Sequence, residues 1–156
     1  MITQIVLSSN AIQDILKEIE KVPTRETGGV LCGRYLQNKL VIESISGPGH
    51  NAMHRLDEFI MDKHYMHTYL DNEYVKSEGM HIYIGEWHTH PQVIPTPSQT
   101  DLTSIRERST EWSTGDIAFI IIGFVGLTID NLSSQIIAIY YDNKTREYWE
   151  LPIEIS

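Results

Sequence analysis

His88 and His90, in "GEWHTHPQVIPTPSQTD" (residues 85–101), are separated by one residue and followed by a proline-bounded loop. Side chains alternate along a strand, so the two imidazoles share a face while Trp87 and Thr89 turn to the other. At that spacing both can reach one cation lying about 2 Å from each ring nitrogen. Pro91, Pro95 and Pro97 stiffen the loop, Ser98 then begins a helix, and Asp101 sits one turn in, projecting back toward the strand end. Two imidazoles and one carboxylate are three ligands, which leaves a fourth tetrahedral position for water. That is the arrangement of a catalytic rather than a structural zinc. Ser98 and Asp101 also read as a helix cap with an acid in the first turn. Taken singly, each of these residues is more often structural; the joint spacing H-x-H-x7-S-x2-D carries the metal reading.

An activated water needs a base, and an attacked carbonyl needs a hydrogen-bond donor for its developing charge. Two glutamates are candidates for the base. Glu86 shares the face of the histidines if the strand is regular that far back. Glu26, in "RETGGVLCGRY", stands just before a glycine pair that permits close backbone approach. Spacing alone leaves both open.

The elements that must position these residues follow from periodicity and punctuation. Residues 2–8 predict a short strand. Ile12, Ile15, Leu16 and Ile19 recur at helical spacing over 9–22, after a Ser/Asn cap and before Pro23. Residues 28–46 predict a hairpin turning at Gln37-Asn38, with Val30, Leu40 and Ile42 in the core. A loop is expected over 47–59, and a helix from Asp62 to Lys76 with Tyr65, Met66, Tyr69 and Leu70 on one side. Residues 80–90 predict the strand that carries the histidines, and a third helix runs from Ser98 to about Trp112. Three further strands are expected over 116–124, 133–141 and 146–155, the last two joined by "DNKT". The expectation is a single α/β domain over 1–156, with one mixed β-sheet flanked by helices.

Composition bounds the partners. The chain has 156 residues, 41% of them hydrophobic and 21% charged, which suits a globular domain with its own core. The net charge of −9 argues against nucleic acid, whose affinity rests on phosphate neutralisation. The single Cys32 excludes an internal disulfide framework and fits a reducing compartment. "MITQIVLSSN" carries no secretion signal, and the apolar run 117–129 is too short for a bilayer, so a cytoplasmic location without a membrane partner is expected.

"ETGGVLCGRY" together with "WHTHPQVIPTPSQTD" resembles the JAB1/MPN/Mov34 (JAMM) metalloprotease family. Its pattern is a glutamate, then His-Ser/Thr-His, seven residues, Ser, two residues and Asp. Glu26, His88, Thr89, His90, Ser98 and Asp101 meet every element. Glu86 stands where the eukaryotic members carry an aromatic residue, and "GEWHTHP" looks like the short prokaryotic branch. The resemblance implies a fold similar to cytidine deaminases and a zinc-dependent peptidase or isopeptidase. By carry-over, His88, His90 and Asp101 hold one Zn2+ per chain, Glu26 is the general base and acid, and Ser98 donates to the oxyanion.

Family substrates are the C-terminal tails of ubiquitin-like proteins. Such a tail is slender and extended, and can thread a narrow cleft beside a sheet edge. Short members of this branch occur beside bacterial conjugation machinery, including anti-phage systems, and others trim sulfur-carrier proteins. Residues 47–60 and 106–116 are the segments expected to meet substrate. Two other classes remain in play. A non-catalytic MPN scaffold usually lacks a ligand, whereas all are present here. Zinc chemistry on nucleobases needs Cys-x-x-Cys ligands that this chain lacks.

Overall fold

The computed structural model describes residues 1–111 and 115–156. Ten strands and three helices follow in the order β1 (Gln4–Leu7), α1 (Ser9–Lys21), β2 (Gly28–Leu36), β3 (Lys39–Ile45), β4 (Met53–His54), β5 (Phe59–Ile60), α2 (Lys63–Lys76), β6 (Ile82–His90), α3 (Gln99–Glu111), β7 (Ile117–Gly123), β8 (Ile136–Asp142), β9 (Glu147–Leu151) and β10 (Ile153–Ile155). Eight strands form one mixed sheet in the order β10-β1-β3-β2-β6-β7-β8-β9. The α/β class with helices about one large sheet is as the sequence predicts.

Two apolar clusters lie on opposite faces of this sheet. On one face Ala11, Ile12, Ile15 and Ile19 of α1 meet Ile5, Leu40, Ile42, Trp87 and Ile120. On the other, Met66 of α2 and Ile105 of α3 meet Val30, Tyr83, Phe119 and Ile121. β7 is buried along its whole length because it is covered on both faces, so it reads as an unbroken apolar run. Ser8 caps α1 by accepting from the Ala11 amide, and Asp62 caps α2 through the Tyr65 amide. The hairpin turns where expected, with Gln37 in the left-handed region.

Two expectations need correction. The single strand predicted over 146–155 is broken at Pro152 into β9, which pairs with β8, and β10, which pairs with β1. Proline has no amide to continue the ladder, so the chain bends there and joins the two ends of the sheet. The expected loop over 47–59 contains a small antiparallel ribbon, with Met53 opposite Ile60 and His54 opposite Phe59. The C-terminal end predicted for the third helix, at Trp112, lies outside the described residues.

Candidate metal centre

β6 and β7 run parallel and are joined through α3, so the site falls at the carboxyl end of β6, where an open α/β sheet offers a crevice. A β-bulge decides which face the histidines take. The register with β2 shifts after Leu31↔Gly85, so that Cys32 pairs with Tyr83 and Ile84 is the extra residue. A side chain on Gly85 would collide with the Ala118 carbonyl of the neighbouring strand. Tyr83 belongs to the α2/α3 face, and Ile84 and Trp87 both belong to the α1 face. The bulge thus flips the alternation, and Glu86, His88 and His90 emerge beside α3.

There the predicted ligands converge. Asp101 Oδ1 lies 2.9 Å from His88 Nε2, and its Oδ2 lies 3.1 Å from His90 Nε2. The two imidazole Nε2 atoms are 3.2 Å apart. Bonds of about 2.0–2.1 Å at tetrahedral angles separate ligand atoms by roughly 3.3 Å, so the three donors are spaced for one small divalent cation. Among the described residues this is the one cluster of three or more His, Cys, Asp or Glu side chains with that convergence. His90 Nδ1 faces Gln92 Oε1 at 3.3 Å, and that oxygen also accepts from the Thr96 amide. With Nδ1 donating to Gln92, loss of the Nε2 proton would leave a lone pair there for a cation, in place of the hydrogen bond that Nε2 makes to Asp101. The 3.1 Å between His90 Nε2 and Asp101 Oδ2 is bridged by a proton or by a cation that replaces it. The residues fit the metal.

Ser98 and Asp101 both cap α3 and line the cleft. The Asp101 amide donates to Ser98 Oγ at 3.1 Å, and the Ser98 amide donates to Asp101 Oδ2 at 2.8 Å. The hydroxyl proton of Ser98 is not used in this exchange, so it can still be donated into the cleft that Ser98 lines. Burial would raise the Asp101 carboxyl, but hydrogen bonds from both imidazoles hold it well below the usual range.

Glu26 reaches the same cleft from the other side. Its amide donates to the Arg55 carbonyl at 2.7 Å, and Gly28 pairs opposite His88. A Cβ on Gly28 would fall against the Trp87 carbonyl oxygen and 2.9 Å from Phe59 Cε2, so only glycine brings this strand so close. Glu26 is 6% exposed, and burial pushes its carboxyl up to about 7 against the pull of His90 and His88. That is the range a general base needs. Glu86 is also buried on the histidine face, but it is committed to Arg108 and Tyr83.

The cleft measures ≈ 490 Å³, and Phe59, Ile60 and Met61 of the ribbon side face Gln92, Ser98 and Thr100 across it. A larger groove of ≈ 630 Å³ between α1 and α2 holds none of the predicted site residues. Donor chemistry, not volume, identifies the centre. Of the segments expected to meet substrate, 47–60 supplies Asp57 to Ile60, and 106–116 supplies Arg108; positions 112–114 lie outside the described residues. The sequence reading missed Gln92 and Arg108. Gln92 is two residues past His90, and Arg108 is seven past Asp101, hence on the same side of the helix; those spacings were the available signal.

Comparison with known proteins places the chain. The model for prokaryotic homologs of the JAB domain matches residues 8–135, and the chain belongs to this family. It is 38% identical over 85 residues to a CD-NTase/cGAS isopeptidase of Vibrio cholerae, covering 53% of each chain. It is 30% identical over 102 residues to a probable metalloprotease of Sinorhizobium fredii, covering 64% of this chain and 62% of the other. These alignments span about half to three-fifths of the curated relatives. The solution structure of a Desulfitobacterium hafniense protein superposes with a TM-score of 0.70 over 97% of this chain and 92% of that one, at 16% identity, which speaks to fold alone.

Proposed function

We propose that this protein is a metal-dependent isopeptidase or peptidase that cleaves after the C-terminal tail of a ubiquitin-like protein. The observation that carries the reading is the convergence of His88, His90 and Asp101 in a cleft that also buries Glu26. The relatives named isopeptidase and metalloprotease support the hydrolytic class. The name CD-NTase/cGAS isopeptidase, carried by relatives of this chain, supports deconjugation of an enzyme of that kind, and the family resemblance adds an anti-phage operon as the setting.

In this reading His88, His90 and Asp101 hold one zinc. When bound, such an ion polarises a carbonyl and brings the pKa of a water to about 7. Glu26 accepts the proton of the attacking water and returns it to the leaving amine. Ser98 donates its hydroxyl proton to the oxygen that gains charge. The ribbon of 53–60 and the loop of 91–98 form the walls between which an extended Gly-Gly tail lies. No covalent enzyme intermediate is needed, which leaves Cys32, buried in β2, outside the chemistry. A complete donor set weighs against the scaffold alternative; trimming of a sulfur-carrier protein would use the same residues on a different tail. The domain proposed for this work is 1–156.

The test is metal content together with cleavage of a Gly-Gly-terminated modifier fused to a reporter. Wild type should bind one zinc and cleave. Glu26→Gln should keep the zinc and lose turnover by roughly 10²–10⁴-fold, the usual worth of a positioned base. Full activity in Glu26→Gln removes the base assignment, and zinc-free wild type removes the reading.

A further inference from the structure

One buried ion pair beside the centre has no part in that reaction. Glu86, 8% exposed, accepts from Arg108 Nε at 2.7 Å and from the Tyr83 hydroxyl at 3.2 Å, both on Oε2. Arg108 Nη1 lies 3.5 Å from Glu111, which in turn pairs with Lys63 at the start of α2 at 3.3 Å. A guanidinium stays charged at every working pH and its planar fork fixes direction, so the Nε contact is a charge-assisted bond with one preferred geometry.

The spacing along the two elements is what gives the pair a role. Asp101 bridges His88 and His90, so it stands opposite Thr89. From Thr89 back to Glu86 is three strand residues, about 10 Å at 3.3 Å each. From Asp101 on to Arg108 is seven helical residues, about 10.5 Å at 1.5 Å each. Because α3 runs back along β6, the two rises match. The helix is therefore fastened to the strand at two points, one through the ligand carboxylate and one through Arg108. Between them α3 buries little: only Ile105 is fully covered, with Leu102 partly buried beside it, and the buried Ser109 follows just past Arg108. So thin an apolar seam tolerates several rolls and slides of the helix, whereas a directed, charge-assisted hydrogen bond does not.

We propose that Glu86 and Arg108 are positioning residues for the metal centre, setting the register of α3 on β6 so that the Asp101 carboxylate meets both imidazoles. This rests on the reading of His88, His90 and Asp101 as metal ligands. Ion pairs of this kind add little net stability, but breaking one leaves a buried charge uncompensated, and their best-attested use is to specify register.

The experiment compares the chelator-stripped full chain with Glu86→Gln and with the double variant Glu86→Leu/Arg108→Met. Zn2+ and Co2+ affinities are measured by competition with a chromophoric chelator, alongside the visible absorption of the Co2+ form and the urea midpoint of the stripped protein. Positioning predicts a loss of affinity of roughly 10- to 100-fold in both variants with an altered cobalt spectrum. The double variant leaves no charge buried without a partner, so its urea midpoint returns toward wild type while its affinity does not. Wild-type affinity and cobalt spectrum in the folded double variant overturn the proposal and leave a merely structural pair. So does unchanged affinity in Glu86→Gln. Uptake of neither metal by the wild type fails the site itself; uptake by wild type and variants alike fails this inference alone.

Discussion

The two faces of the large sheet are built on opposite terms. The α1 face is a continuous apolar cluster, from Ile5 and Ile15 through Trp87 to Leu151. The α2/α3 face has a smaller cluster, and at one end of it stand Glu26, Glu86, His88, His90, Asp101 and Arg108. Single residues of β6 serve both: Trp87 seals the α1 side while His88 and Glu86, its neighbours, carry a proposed ligand and an ion pair on the other. The lesson is one of division. A face that only packs can hold the strands rigid, and that rigidity lets the other face keep desolvated charge at fixed distances.

The division can be broken from either side. The largest stability loss should come from Ile15→Ala, a fully buried residue at the centre of α1. It should lower unfolding free energy by about 2–5 kcal/mol in urea titration. The zinc affinity of the folded fraction should stay as in wild type; a parallel loss of affinity would show that the faces are not separate. Gly28→Ala puts one methyl between β2, Trp87 and Phe59. It should cost about 1–3 kcal/mol by overpacking and, unlike Ile15→Ala, also reduce turnover by displacing Glu26. Retained turnover would mean that the glycine pair does not position the glutamate.

The smallest effect concerns Cys32, on the α2/α3 face but away from the ligands. Burial pushes its thiol from the ordinary 9.0 up to about 11. Between those values the folded chain keeps a proton that the unfolded chain has released. Folding stability must therefore fall as pH rises through 9, since the native state then binds more protons than the unfolded one. Wild type should lose stability more steeply between pH 9 and 11 than Cys32→Ala does. Equal slopes would assign the alkaline loss to other groups.

What could be read from the chain was what depends on short spacings. The i, i+2 placement of His88 and His90 and the position of Asp101 one turn into a helix are local, and the structure brings those three together. The two roles weighed for Ser98 and Asp101 turn out compatible, because the cap uses the serine oxygen as acceptor and leaves its proton. The place of Glu26 depends on β2 pairing with β6, 60 residues later, and no periodicity reports that; the glycine pair made it a candidate beside Glu86, and only family resemblance chose between them. The bulge at Ile84-Gly85 was marked by nothing beyond a glycine, yet it decides which side of the sheet the histidines take. Pro152 was visible, but that the residues on its two sides pair with strands at opposite ends of the sheet is a property of closure.

That closure has a consequence for how the molecule behaves in a crowd. An open sheet ends in rows of unsatisfied amides and carbonyls on which a neighbouring chain can add itself. Here β8 and β1, which would be those margins, are both covered by one short segment, and at its middle stands a residue with no amide to offer. The strands buried most deeply, with runs such as "IAFIIIG" that would otherwise seed cross-β stacking, sit inside that border. The margins that remain are β9 and β10, short strands meeting at Pro152, and they keep that apolar run away from any edge.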